Sequence, residues 1–123
     1  MAGLIRRFAA VGAIALSGVL LAGCGQVALD QARVACTHIK KGLSAYDKSR
    51  ASGVTVKQIE AFRAVTYDEF NAAVHIAARA AVRNGRWTAL ATSLNEVHRV
   101  GIDSVVPTLR AQCKVINSDQ AYF

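Results

Sequence analysis

The N-terminal segment constrains this sequence most, because its layout removes residues 1–23 from the folded domain. Two arginines, Arg6 and Arg7, precede an apolar run from Phe8 to Leu21 that contains no acidic residue. A short basic region, an apolar run and small residues before a cleavage point are the layout of a secretory signal peptide. A membrane-spanning helix is the alternative, but the sixteen residues from Phe8 to Gly23 are fewer than the roughly 20 that a span needs.

The short sequence Leu21-Ala22-Gly23-Cys24 follows the apolar run directly. It resembles the lipobox of bacterial lipoproteins, in which the cysteine carries lipid. The resemblance implies that Cys24 receives a diacylglyceryl group with acyl chains such as palmitate, and that a signal peptidase recognises Leu21, Ala22 and Gly23. It also implies cleavage before Cys24 and a location in the bacterial cell envelope, anchored by lipid on the extracytoplasmic face of a membrane. The composition is similar to that of small lipoproteins of actinobacteria and their phages.

Cleavage would leave one modest domain. The expected organisation is a signal peptide over residues 1–23, a short lipidated tether over 24–28 and a helical domain over 29–123. Removing Arg6 and Arg7 reduces the net charge from +7 to +5, and the remaining basic residues are scattered, as on an ordinary solvated surface. A domain of this size is small enough for a covalent cross-link to matter to its stability.

Apolar residues recur at helical spacing in the first half of this domain. The first stripe consists of Cys36, Ile39, Leu43 and Tyr46. Its steps of three and four predict one helix, which ends at Ser52-Gly53. Thr55 and Gln58 form a capping-box pattern that predicts the start of a long second helix. We expect that helix to end at Asn84-Gly85 through a left-handed residue.

Two shorter helical segments follow. The apolar face of the first consists of Trp87, Leu90, Ala91, Leu94, Val97 and His98. Gly101 interrupts it, and Asp103 or Ser104 is expected to cap a fourth helix with Pro107 near its first turn. Alternatively, the third and fourth helices are one helix kinked near Gly101. The sequence shows no strand-like alternation of useful length, so the predicted fold is all-α, an antiparallel bundle of three or four helices.

Two cysteines remain once Cys24 carries lipid, and export would place them where disulfides persist. Cys36 and Cys113 lie on the apolar stripes of the first and last helices. We therefore predict a disulfide between them, which on loop-closure entropy alone is worth about 4 to 5 kcal/mol. The alternative is two buried free thiols.

No motif for catalysis or metal binding is apparent. The three histidines, His38, His75 and His98, lie in separate segments without the spacing of a metal site. The neighbouring acids Asp68 and Glu69 point roughly 100° apart around a helix, so they cannot act as a general acid and base pair, and we interpret them as solvated. The sequence therefore predicts a non-enzymatic protein without a cofactor or metal. Nucleic acid is not an expected partner either, because the aromatic residues are sparse and at helical spacing.

The basic residues of interest form two groups. Arg79, Arg83 and Arg86 lie around the end of the second helix, and Lys40, Lys41 and Lys48 lie on the first. One interpretation is that they are solvated and complement helix-end charges. The other is that together they form a face toward anionic phospholipid.

Three functions follow as hypotheses. The first is a membrane-anchored, non-enzymatic binding or structural module of the cell envelope, with membrane lipid bound through Cys24 and an envelope protein as a candidate partner. The second is a superinfection-exclusion lipoprotein encoded by a phage or prophage. The third is a carrier of a small apolar ligand between the helices, suggested by the alanine-rich second half of the second helix. An apolar cavity of some hundreds of Å³ would favour the carrier.

Overall fold

A computed structural model describes the backbone of residues 2–118 and the side chains of residues 25–118. The predicted lipidation residue Cys24 and the recognition residues Leu21, Ala22 and Gly23 lie outside the described side chains. The helices are α1 (Ala2–Ser49), α2 (Val56–Arg83), a 3-10 helix (Gly85–Trp87), α3 (Thr88–Asn95), α4 (Val97–Val100) and α5 (Ile102–Ile116). Every regular element of residues 2–118 is helical, which confirms the all-α prediction. Over residues 25–118, none of the helices combines the length and apolar character that crossing a membrane requires.

The helices pack as a bundle in which α1 and α2 run antiparallel. The Thr66 hydroxyl of α2 donates to the Gly42 carbonyl of α1, and farther along the pair Glu69 meets His38. A higher number on α2 thus faces a lower number on α1. Helices α3 and α4 together form the third helical segment of the bundle, and α5 forms the fourth segment. This arrangement confirms the predicted antiparallel bundle.

A disulfide between Cys36 and Cys113 joins α1 to α5 through the interior of the bundle. The two Cα atoms are 5.5 Å apart, and both cysteines are buried. The predicted pairing is therefore confirmed, and the alternative of two free thiols is wrong. Helix α5 runs antiparallel to α1, because Arg33 of α1 contacts Ile116 of α5 whereas Tyr46 contacts Asp103.

Small residues allow α1 and α2 to approach closely. Six fully buried alanines lie at matching levels of the two helices: Ala28, Ala32 and Ala35 on α1, and Ala73, Ala77 and Ala80 on α2. Gly42 extends this contact, because its backbone lies directly against the Phe70 ring. The alanine-rich face of α2 is thus packed against α1.

Residues 24–28, which we predicted as a short tether, are helical. Helix α1 is continuous through residues 24–28, and Ala28 is already fully buried. The first core residue therefore comes four positions after Cys24. Helical continuity over this stretch gives the domain a direct connection to the residue that would carry lipid.

Of the two predicted ends of α2, only the first is confirmed. At the start, Thr55 accepts from the Gln58 backbone N–H and the Gln58 side chain accepts from the Thr55 N–H, which confirms the capping box. The left-handed end predicted at Asn84-Gly85 is wrong. Asn84 is extended, and its side chain accepts from the Arg86 N–H, so it caps the following 3-10 helix instead.

Replacing Thr55 by alanine tests the energetic role of this capping box. The Thr55→Ala substitution removes the side-chain acceptor of the Gln58 N–H in the first turn of α2, so we expect the free energy of unfolding to fall by about 1 kcal/mol. Urea denaturation measures the change. Thr55→Ser should retain most of the stability, and Thr108→Ala, at an exposed position inside α5, is the matched control with little effect. Equal losses for Thr55→Ala and Thr108→Ala would contradict the capping role.

Gly101 separates α4 from α5. Its φ of 90° and ψ of 154° lie outside the helical region, so the alternative of one kinked helix is wrong. The cap expected at Asp103 or Ser104 is also wrong, because α5 begins at Ile102 and contains both residues in its first turn. Pro107 consequently falls in the second turn of α5, where it removes the N–H that would bond to the Asp103 carbonyl.

Candidate functional site

An open groove of about 690 Å³ runs between α1 and α5. Its base is formed by two core residues, Leu43 of α1 and Cys113 of the disulfide, which are 5% and 4% exposed. Its cationic side chains are Lys40, Lys48, Arg110 and Lys114. Ser44, Asp47 and Asn117 complete the lining. The groove therefore has a mainly positive rim above a base of buried residues, and we call it the α1–α5 groove.

Helical spacing explains why these residues meet. Lys40, Ser44 and Lys48 follow one another at intervals of four on α1, so they line one side of that helix. Arg110 and Lys114 have the same spacing on α5. The disulfide and the antiparallel course of α5 bring the two rows together on opposite sides of Leu43 and Cys113.

The charges of the groove do not balance. Arg110 donates to the Asp47 carboxylate at 2.5 Å, and both side chains are about half exposed. An exposed pair of this kind contributes on the order of 0 to 1 kcal/mol. Lys40, Lys48 and Lys114 have no ion-pair partner among the residues described here. Three ammonium groups thus remain available along the rim of the groove.

The six basic residues singled out from the sequence do not form one compact patch. Lys40 and Lys48 line the α1–α5 groove, whereas Lys41 is exposed outside its lining. Arg79 lines a different recess together with Asp30. Because α1 rises 1.5 Å per residue, Lys48 lies roughly 27 Å beyond Asp30 along the helix axis. The lysines and the arginines therefore occupy different levels of the bundle.

The second basic group lies at the end of the bundle where α1 enters it. Since Thr66 faces Gly42 in an antiparallel pair, Arg83 comes to about the level of residues 25–26 of α1. Arg83 is the last residue of α2, where a cation complements the helix dipole. The Arg86 guanidinium lies 5.1 Å from the ring centre of the buried Trp87. We call Arg79, Arg83 and Arg86 the arginine end.

Two of the three histidines and one acid of the neighbouring pair make contacts between helices. His38 Nδ1 lies 2.7 Å from Glu69 Oε2 in a half-buried contact between α1 and α2, so the interpretation of Glu69 as solvated is wrong. Its neighbour Asp68 is exposed. His98 stacks on Tyr67 with ring centres 5.8 Å apart. Among residues 25–118, no three His, Cys, Asp or Glu side chains lie close enough to hold a metal ion.

A polar cluster at the far end ties α1 to α5. The Tyr46 hydroxyl donates to the Asp103 carboxylate, and the Arg50 guanidinium donates to the same oxygen. The hydrogen bond to Asp103 raises the pKa of Tyr46 above its usual value. This cluster is built from side chains with their own partners, so it provides a structural contact and no reactive group.

The sequence analysis missed Arg110 and Lys114, the two groove cations from α5. Their spacing of four on either side of Cys113 was a usable signal once that cysteine was paired with Cys36. No protein-family model, curated protein or solved structure matches this chain. The chemistry of the site is therefore inferred from its own residues.

Proposed function

We propose that this protein is a lipid-anchored, non-enzymatic binding module on the extracytoplasmic face of a bacterial membrane. In this proposal, acyl chains on Cys24 hold the bundle with its arginine end toward the bilayer. The observation that carries the orientation is the antiparallel pairing of α1 and α2, since it brings Arg83 to the level of the residues that follow Cys24. Burial of Ala28 supports a short connection between the lipid and the domain.

Electrostatics favour the same orientation. Basic residues near an anionic bilayer contribute about 1 kcal/mol each, and this attraction fades within a Debye length. The arginine end is close enough to Cys24 to add to the anchor, whereas Lys40 and Lys48 of the α1–α5 groove lie farther along α1. Lys40 is sixteen residues beyond Cys24, or roughly 24 Å along the helix. The groove would stay open to solvent and to small ligands.

Lipid attachment at Cys24 gives a direct test. We expect the chain extracted from bacterial membranes to begin at Cys24 with added acyl mass, and radiolabelled palmitate to be incorporated. Cys24→Ala should abolish the label, because the other two sulfur atoms form a buried disulfide. Intact-mass spectrometry, with and without reductant and alkylation, measures the first residue of the chain and its acyl mass. The thiols of Cys36 and Cys113 should be alkylated only after reduction.

The Cys36→Ala/Cys113→Ala variant is the matched control for this test. It removes two cysteines but leaves Cys24, so it should retain the acyl mass and the membrane fractionation. Once its N-terminal segment is removed, the Cys24→Ala chain should leave the membrane fraction, since a stable anchor requires two or more acyl chains. An unlipidated wild-type chain in cells that acylate other lipoproteins would overturn the proposal.

A further inference from the structure

We propose that the bundle inserts two exposed valines beside the arginine end, Val27 and Val82, into the headgroup layer of a membrane that contains anionic phospholipid. The arginines would bind the lipid phosphates, and the valines would reach the border of the acyl chains. This inference rests on the proposed function, because it takes Cys24 as the point where the chain meets the bilayer. It adds a second contact to the acyl anchor, and the two contacts together fix the direction in which the bundle points.

Both valines lie near the level of the proposed lipid anchor. Val27 follows Cys24 by three residues, or roughly 4.5 Å along α1. Thr66 of α2 faces Gly42 of α1, so Val82, sixteen residues beyond Thr66, comes opposite the residue sixteen before Gly42, which directly precedes Val27. The headgroup layer on each side of a bilayer is roughly 5 to 8 Å thick. Acyl chains on Cys24 would enter the hydrocarbon, so both valines would fall within this layer.

The apolar side chains at this end have surface to offer. Val82 is 89% exposed, the highest value among the large apolar side chains of residues 25–118. Val27 is 39% exposed and lines a recess between α1 and α2 together with Val34 and Ile76. Removing such surface from water at the border between headgroups and acyl chains is favourable in proportion to its area. Insertion would therefore bury apolar groups that the fold itself leaves in solvent.

The charge around these valines is mainly positive. No acidic residue occurs between Glu69 and Glu96, a stretch that contains all three residues of the arginine end. Arg79 and Arg83 are exposed and have no ion-pair partner within residues 25–118. Asp30 is the one acid in the recess beside Arg79. Guanidinium groups bind phosphate oxygens through paired hydrogen bonds, so an anionic phospholipid surface is complementary to this end.

This contact serves orientation more than affinity. Two valines bury far less apolar surface than an acyl chain, and even one acyl chain gives only marginal membrane binding. The release of the Cys24→Ala chain predicted above is therefore unaffected. In the acylated chain, however, insertion would hold the arginine end in the headgroup layer and keep Lys40 and Lys48 of the α1–α5 groove away from the bilayer.

A thiol-reactive fluorophore on Val82→Cys tests the insertion in the full chain as isolated from cell membranes. The matched control is Val56→Cys, which is 73% exposed on the same helix and lies roughly 39 Å away along its axis. In vesicles of phosphatidylglycerol and phosphatidylcholine, lipids that carry a quencher near the headgroup should remove most of the fluorescence at position 82 and little at position 56. Equal quenching at the two positions would overturn the inference. A fluorophore at position 82 that is shielded from water but not quenched by these lipids would also overturn it, in favour of a protein contact.

Charge variants of the labelled chain test the role of the arginines. Arg79→Gln/Arg83→Gln should shift the equilibrium between inserted and free orientations roughly thirtyfold toward the free one, and the quenching at position 82 should fall accordingly. Lys41→Gln/Arg63→Gln removes the same charge from exposed positions farther from Cys24 and should leave the quenching unchanged. Equal responses of the two variants would overturn the inference. An acylated chain without quenching at position 82 contradicts the insertion alone, whereas an unacylated chain that is quenched there contradicts the anchor alone.

Discussion

Opening the Cys36–Cys113 disulfide is expected to lower the free energy of unfolding by about 2 to 5 kcal/mol. The bond closes a loop with a sequence separation of 77 residues. Loop-closure entropy for this length corresponds to about 4.5 kcal/mol, and measured disulfides often contribute less. Small domains have total stabilities of about 5 to 15 kcal/mol. At about 4 to 8 °C per kcal/mol, the melting temperature should fall by roughly 8 to 40 °C.

Opening the disulfide should destabilise α5 more than the other helices. Besides the disulfide, the polar contacts that join α5 to α1 among the described residues are exposed or partly buried, including the Arg110–Asp47 pair. Exposed pairs contribute little stability. Five buried apolar residues besides Cys113 keep α5 in the common core, so the bundle should remain folded at low temperature; they are Ile102, Val105, Val106, Leu109 and Ile116. Amide hydrogen exchange should therefore increase more in α5 than in the α1–α2 pair, because local opening follows the weakest tertiary contacts.

Urea denaturation of oxidised and of reduced, alkylated protein measures this effect. The Cys36→Ala/Cys113→Ala variant reproduces the open state without reductant, and its unfolding free energy should match that of the reduced protein within about 1 kcal/mol. Cys24→Ala is the control, since that residue takes no part in the disulfide, and its unfolding midpoint should not move. Equal midpoints for the oxidised and reduced chains would show that buried side chains alone hold α5 in place.

Local patterns in the sequence predicted most of the fold. The stripe through Cys36, Ile39 and Leu43 is buried, and the capping box at Thr55 forms. Both depend on residues three or four positions apart, which helical geometry brings together without help from the rest of the chain. The end of α2 was mispredicted because the Asn84 side chain accepts a hydrogen bond from the Arg86 N–H. This bond caps the 3-10 helix that contains the buried Trp87.

The candidate site was predictable only in part, because its residues are distant in the sequence. Lys40 and Lys48 stood out as basic residues, but charge alone did not indicate which surface they share. Arg110 and Lys114 join them only through the packing of α5 on α1. The His38–Glu69 contact, 31 residues apart, was missed for the same reason. Helix pairing and register decide such contacts, and a single-helix pattern does not contain that information.

Gly42→Ala is expected to destabilise the protein by up to about 2 kcal/mol, although alanine is the better helix former. A Cβ at this position would lie 2.6 and 2.8 Å from two carbons of the Phe70 ring and 3.3 Å from the Thr66 carbonyl oxygen. Phe70 is 1% exposed, so its ring has no free space into which it can move. Overpacking of this kind costs about 1 to 3 kcal/mol, and the helix-propensity gain of about 1 kcal/mol offsets only part of it.

Gly25→Ala makes the same substitution in the same helix, at a position where nothing lies within 4 Å of the added carbon. It should leave the free energy of unfolding unchanged or raise it by up to about 1 kcal/mol. Phe70→Leu should relieve part of the loss caused by Gly42→Ala, because the two changes meet at one contact and are therefore not additive. Thermal denaturation of the four variants measures both comparisons. A Gly42→Ala protein as stable as the Gly25→Ala protein would mean that α1 and α2 separate at little cost, and the close alanine and glycine contact would then not determine how the two longest helices pack.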